Sequence, residues 1–167
     1  MPVKNPRELF ALMLSDVRQG AERMTEMLSE ISDLAEDPLV TDALEESEFV
    51  AEQSLAKLDQ CFKLIGEKPV KLRGRVREVL IEEVINEASE ISSPAARQLY
   101  VLSKAIQLIH LRIAECMALI AASDITGNHK VKDLLESFLA DNHAAVERAR
   151  LLIRKIVEHK IRERSVA

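Results

Sequence analysis

Three proline-headed starts divide this chain into long helices. Asn5-Pro6, Asp37-Pro38 and Ser93-Pro94 each set a capping residue before a proline. Proline's fixed φ and missing N–H suit the first helical position. Glu8 lies three residues after Asn5 and completes a capping box. The stops are equally clear. Gly66 can take the left-handed conformation that ends a helix, and Gly127 can do so before Asn128 caps the final helix. Between these marks apolar residues recur every 3.6 positions. The pattern predicts helices over 6–35, 38–65, 94–123 and 129–161, with a shorter one over 75–91.

Little is left from which to build a sheet. Aromatic residues make up 3% of the chain, with no Trp and one Tyr, and glycine occurs four times. Residues that favour strands and turns are scarce, so the expected class is all-α. A length of 167 residues suits one domain with a sizeable core, spanning 1–167. The net charge of −5 gives no general attraction for nucleic acid. Cys61 and Cys116 fall on apolar helical faces without metal-type spacing, which reads as reduced core thiols. No stretch reads as the ~20 apolar residues of a membrane span. The first residues lack the apolar run of a signal peptide. A cytoplasmic location is expected.

The inner stripes follow from the periodicity. The first helix offers Phe10, Met13, Leu14, Val17, Ala21, Met24, Leu28, Ile31 and Leu34, with Glu22 and Glu26 solvated. The second offers Leu44, Ser47, Val50, Ala51, Ser54, Leu55, Leu58, Phe62 and Ile65. The short helix turns Val76, Leu80, Val84, Ile85 and Ala88 inward. The 94–123 helix runs through Leu102, Ile106, Ile109, Ile113, Met117 and Ile120, and the last through Val131, Leu135, Phe138, Asn142, Ala145, Ala149, Leu152 and Ile156. Arg112 lies beside the stripe of its helix, where an arginine must find a partner or reach solvent. Asn142 is the polar residue in the last stripe. Four long helices with one long connection, 67–93, form the ferritin-like arrangement of a four-helix bundle. The short helix rides on that crossover.

In order and spacing the chain resembles the bacterial ferritin-like proteins of the YciE/YciF type. The carriers are Asn5-Pro6-Arg7-Glu8-Leu9-Phe10, Leu14-Ser15-Asp16, Leu58 to Gly66, and Leu80-Ile81-Glu82-Glu83. His110, Ile113-Ala114, Gly127 and Leu134-Leu135 add to them, over residues 4 to 157. The resemblance implies a bundle, often dimeric, with a carboxylate site for two iron or manganese ions between the long helices. Such hard ions prefer oxygen ligands, so each helix must aim a Glu inward.

The implied ligands are missing one by one. The family's first-helix Glu falls on Ala21, with Glu22 about 100° round the helix. Its Glu-Glu-Thr run falls on Phe49, Val50 and Ala51. Its Val-Glu-His-Tyr-Glu reads Leu108-Ile109-His110-Leu111-Arg112, and its Leu-x-Glu-Glu reads Leu139-Ala140-Asp141-Asn142. The expectation is a vestigial site at Ala21, Val50, Ile109, Arg112, Asp141 and Asn142, with no cofactor. Arg112 would then donate to Asn142 or pair with Asp141, or else snorkel to the helix edge. An iron or manganese protein with atypical ligands, acting as an oxidase or on peroxide, is the enzymatic alternative.

Other constellations carry less. Lys68, Lys71, Arg73, Arg75 and Arg77 form a basic segment that could meet an anion, nucleic acid or an acidic partner, but it lacks the interleaved aromatics of a nucleic-acid site. The four histidines are scattered. No glycine-rich phosphate loop, Ser/His/Asp nucleophile motif or small-molecule site stands out. The expected protein is a non-catalytic structural or stress-associated homodimer, with Leu99, Leu108 and Leu111 as a partner face.

Overall fold

The computed structural model describes residues 3–32, 38–72 and 75–166. The expected helix end near residue 35, the Asp37 cap and Arg73 lie outside them. So do the side chains of Leu28, Ile31, Leu34, Leu44, Ser47, Arg75, Val76 and Arg77. Five α-helices appear among the described residues: α1 (Pro6–Ser32), α2 (Pro38–Ile65), α3 (Arg75–Glu90), α4 (Pro94–Ala122) and α5 (His129–Val166). A 3₁₀ turn, Ser123–Thr126, joins the last two.

The caps form as the sequence requires. The Glu8 amide donates to Asn5 Oδ1 at 2.9 Å, and the Glu8 carboxylate accepts from the Lys4 amide at 2.8 Å. Ser93 Oγ accepts from the Ala96 amide, and Asn128 Oδ1 from the Lys130 amide. Gly66 and Gly127 both take positive φ, 70° and 67°, a region that costs a side chain 1–2 kcal/mol or so.

Chain direction then fixes the topology. Arg7, at the start of α1, donates to the carbonyl of Ile65, at the end of α2. Cys61 reaches the Val131 carbonyl while Ser54 reaches Asp141, so α2 and α5 run opposite ways. Cys116 reaches Leu135 and Arg112 reaches Asn142, so α4 and α5 do too. α1 also packs on α4. Every one of these packed pairs is antiparallel, which makes α2 and α4 parallel. The chain must therefore return along the whole bundle between them. This is the ferritin-like four-helix bundle, with α3 on its long crossover.

The core has two parts. One lies at the end built from the start of α1, the end of α2, the end of α4 and the start of α5, around Phe10, Phe62, Cys116 and Phe138. The other surrounds Met24, Leu102, Ile109, Val146 and Ile156 and takes in Ile81 and Ala88 of α3.

Several sequence expectations need correction. Met117 is 58% exposed, and Cys116 takes its place inside. Leu80 faces out and Ile81 is buried instead. In both cases the apolar series steps by three where a step of four was expected, and both choices are apolar. Leu99 and Leu108 pack against the core around Ile109, which leaves Leu111 as the exposed member of the expected partner face. Finally, Pro94–Thr126 is long and apolar enough to cross a membrane by length and composition. Its inner stripe packs into the bundle, as that of a core helix does.

Candidate functional site

The two core parts meet at a polar contact. Arg112 on α4 is buried, at 9% exposure, and its Nε donates to Asn142 Oδ1 at 2.6 Å. Asn142 on α5 is 3% exposed, and its Nδ2 donates to the Phe138 carbonyl one turn back at 2.6 Å. That second bond fixes which end of the amide faces the arginine. The Asn142 oxygen is left free to accept, as a guanidinium with only donors requires. Phe138 lies beneath the charge, its ring centre 5.8 Å from the guanidinium carbon. A cation over an aromatic face contributes about 0.5–2 kcal/mol, more as water is excluded. Arg112 is thus inside the buried stripe rather than at its edge, and it does not snorkel.

Asp141 turns the other way. Its Oδ2 accepts from Ser54 Oγ at 2.8 Å and from Lys57 Nζ at 2.5 Å, both on α2. Lys57 also donates to Ser137 Oγ at 2.8 Å. The Lys57 and Asp141 side chains keep about a quarter of their surface in water, so the pair fastens α2 to α5 at a modest ~1 kcal/mol or less. Of the other positions singled out from the sequence, Ala21 and Ile109 are buried at 1% and 7%. Val50 is half-buried. Lys68 and Lys71 are exposed on the connection after α2, away from this contact.

The arrangement suits packing rather than reaction. Lys57, as an ammonium paired with Asp141, has no lone pair with which to activate Ser137. Burial pushes the thiols of Cys61 and Cys116 up to about 12, so neither is a thiolate nucleophile near neutrality. All four histidines are exposed. The donor set does not fit the two metal ions that the resemblance implies. One carboxylate, Asp141, stands among the six positions, and it is engaged by Lys57. A fixed cation, Arg112, stands among them too. A divalent ion about 5 Å from a guanidinium would be repelled by roughly 7 kcal/mol at an effective dielectric constant of 20. Among the described residues no three His, Cys, Asp or Glu side chains gather as a metal site.

Sequence reasoning missed the α2–α5 seam of Ser54, Lys57 and Ser137. Its signal was present as spacing. Ser54 and Lys57 are three apart, and Ser137 and Asp141 four apart, so each pair shares a helical face. The sequence does not say which two faces meet.

Comparison with other proteins supports the same architecture. The E. coli stress protein YciF is 21% identical, with a TM-score of 0.84 over 93% of this chain and 99% of that one. YcfI from Rhodopseudomonas palustris is 22% identical, with a TM-score of 0.82 over 89% and 94%. A Xanthomonas campestris protein is 18% identical, with a TM-score of 0.68 over 93% and 99%. At these identities the likeness carries the fold. No curated protein matches the sequence. The model of one family, a domain of unknown function termed DUF892, matches residues 5–162, and the chain belongs to that family.

Proposed function

We propose that this protein is a non-catalytic helical protein with a structural or stress-associated role, acting in the cytoplasm as a homodimer. In it, apolar packing with Arg112 and Asn142 fills the space that a di-metal site takes in the YciE/YciF type. One observation carries the reading: a buried guanidinium bound to a neutral amide stands where inward carboxylates are needed. Ala21 and Ile109 support it, since both bury apolar side chains at ligand positions. The description of YciF as a stress protein lends the stress association.

Elemental analysis tests the reading on protein expressed with added iron and manganese. Less than about 0.1 metal ion per chain is expected, with ferrous iron consuming oxygen no faster than in buffer. Near-stoichiometric iron or manganese, with accelerated oxygen uptake, would overturn it.

A further inference from the structure

α5 outruns the helices beside it. The bonds from Arg112 to Asn142 and from Cys116 to Leu135 set the register of α4 on α5. The bonds from Ser54 to Asp141 and from Cys61 to Val131 do so for α2. Carried along both helices, these registers bring Pro94, which starts α4, to about residue 158 of α5, and Pro38, which starts α2, to about residue 155. α5 continues to Val166. About eight residues, or ~12 Å of helix, therefore run past both neighbours. Ile156 is the last buried side chain among the described residues, and Val157, Glu158, His159 and Ile161 are exposed.

This stretch reverses the charge of the chain. Residues 148–164 hold seven Lys or Arg against Glu158 and Glu163, a local +5 in a chain of −5, so the remaining residues carry −10. Exposed aliphatic side chains stand among the basic ones. Arg150, Arg154, Val157 and Ile161 step by four, three and four, and so share one side of the helix. Val157 is 39% and Ile161 59% exposed. Leu151, at 56%, and Lys155 stand together on the adjoining side. Two acidic residues border this surface, and each is held within the helix. Glu147 pairs with Arg150 at 2.8 Å, and Glu158 with Arg154 at 3.8 Å. Both pairs lie in water, where such pairs are weak.

We propose that this end of α5 lies against an anionic phospholipid surface, with its aliphatic side chains entering the headgroup layer. Basic residues beside exposed aliphatic ones are what an interfacial helix needs, since charge draws it to the surface and apolar burial holds it there. A nucleic acid would use the charges and leave Val157 and Ile161 idle. It would also find no Phe, Tyr or Trp in 148–166 on which to stack a base. The overhang matters for the same reason. It carries the positive charge about one Debye length, ~8–10 Å, beyond the acidic bundle, so the body's repulsion from an anionic surface is screened.

Vesicle flotation of the full chain tests this with phosphatidylcholine–phosphatidylglycerol vesicles at 0.1 M salt. The wild type is expected to float with them, to ignore pure phosphatidylcholine, and to be released by 0.5 M salt. Arg154→Glu with Lys155→Glu should bind at least tenfold more weakly, with an unchanged helical circular dichroism spectrum. Lys68→Glu with Lys71→Glu makes the same change in net charge on the exposed connection after α2 and should bind as the wild type does. Ile161→Asn keeps every charge and should weaken binding about fivefold. A wild type that stays with the unbound fraction would overturn the proposal. So would equal losses from the two double variants, which would show attraction by net charge alone. Binding to a 30-nucleotide RNA or DNA that Ile161→Asn leaves intact and the vesicles do not compete away would overturn it too, and reassign the surface to nucleic acid.

Discussion

The two ends of the bundle are built to different standards. At the end holding the start of α1, Leu14, Leu58, Leu119, Val131 and Leu135 have no exposed surface. Beyond the Arg112–Asn142 contact, Ile109, Val146, Leu152 and Ile156 keep 7 to 8%. Aromatic placement accounts for much of this. Phe10, Phe62 and Phe138 all lie in the first cluster, while Phe49 is 61% exposed on α2. Three rings fill the closed end, and the other end is packed with aliphatic side chains and one half-buried ring, Tyr100. The more open end also bears a defect. Arg148 buries Nε and Nη2 with no hydrogen-bond partner for them among the described residues. An unmet buried donor costs about 1–3 kcal/mol. The difference teaches that stability is concentrated at one end, with a polar contact marking the boundary.

Substitutions can break this comparison. Phe138→Ala should have the largest effect, about 3–5 kcal/mol by chemical denaturation, since it opens a cavity and uncovers Arg112. Leu152→Ala at the other end should cost nearer 2, because a partly open site collapses more easily. Equal losses would erase the distinction between the two ends. At the boundary, Arg112→Met leaves the Asn142 oxygen buried without its donor and should cost about 1–3 kcal/mol. Adding Asn142→Leu should recover much of that loss, since two apolar groups replace both partners. A double variant as weak as the single one would show that Arg112 holds the bundle through other contacts.

Alkaline titration probes the closed end through its two thiols, beside Tyr100 at the other end, whose phenol burial also pushes up to about 12. Both thiols sit at about 12 in the folded chain, raised from an ordinary 9 by burial. A raised folded value means that stability is full below pH 9 and falls as the pH rises toward 12. Each thiol should contribute a slope of about 1.4 kcal/mol per pH unit in that window. Cys61→Ala with Cys116→Ala should flatten the alkaline limb, whatever its cost at neutral pH. The smallest effect concerns the open end. Arg148→Met keeps the stem and removes the unmet donors, and should stabilise the protein by about 1 kcal/mol. A loss of stability would show that Arg148 has a partner that the two buried nitrogens do not reveal.

Much of the architecture was legible because its signals are local. The caps at Asn5, Ser93 and Asn128, and the stops at Gly66 and Gly127, need only a few neighbouring residues. The single long crossover then selected the ferritin-like arrangement. The side-chain pattern was legible only to within a step. Cys116 and Met117 are both apolar, as are Leu80 and Ile81, so composition cannot choose which faces inward. The candidate site divides in the same way. Arg112 beside an apolar stripe and Asn142 within one could be seen separately, and their pairing was among the options. That Asp141 turns to Ser54 and Lys57 depends on the register between α2 and α5, across more than 80 residues of chain.

The crossover starts from α1. Ser15 Oγ accepts from the Val70 amide at 3.0 Å. The Gln19 side chain accepts from the Leu72 amide at 3.0 Å and donates to the Leu72 carbonyl at 3.2 Å. One glutamine thus imitates the pairing of a neighbouring strand. In hydrogen exchange, these two amides outside any helix should outlast their exposed neighbours at Lys68 and Lys71. The return path would then open as a unit with α1 rather than fray as a loop.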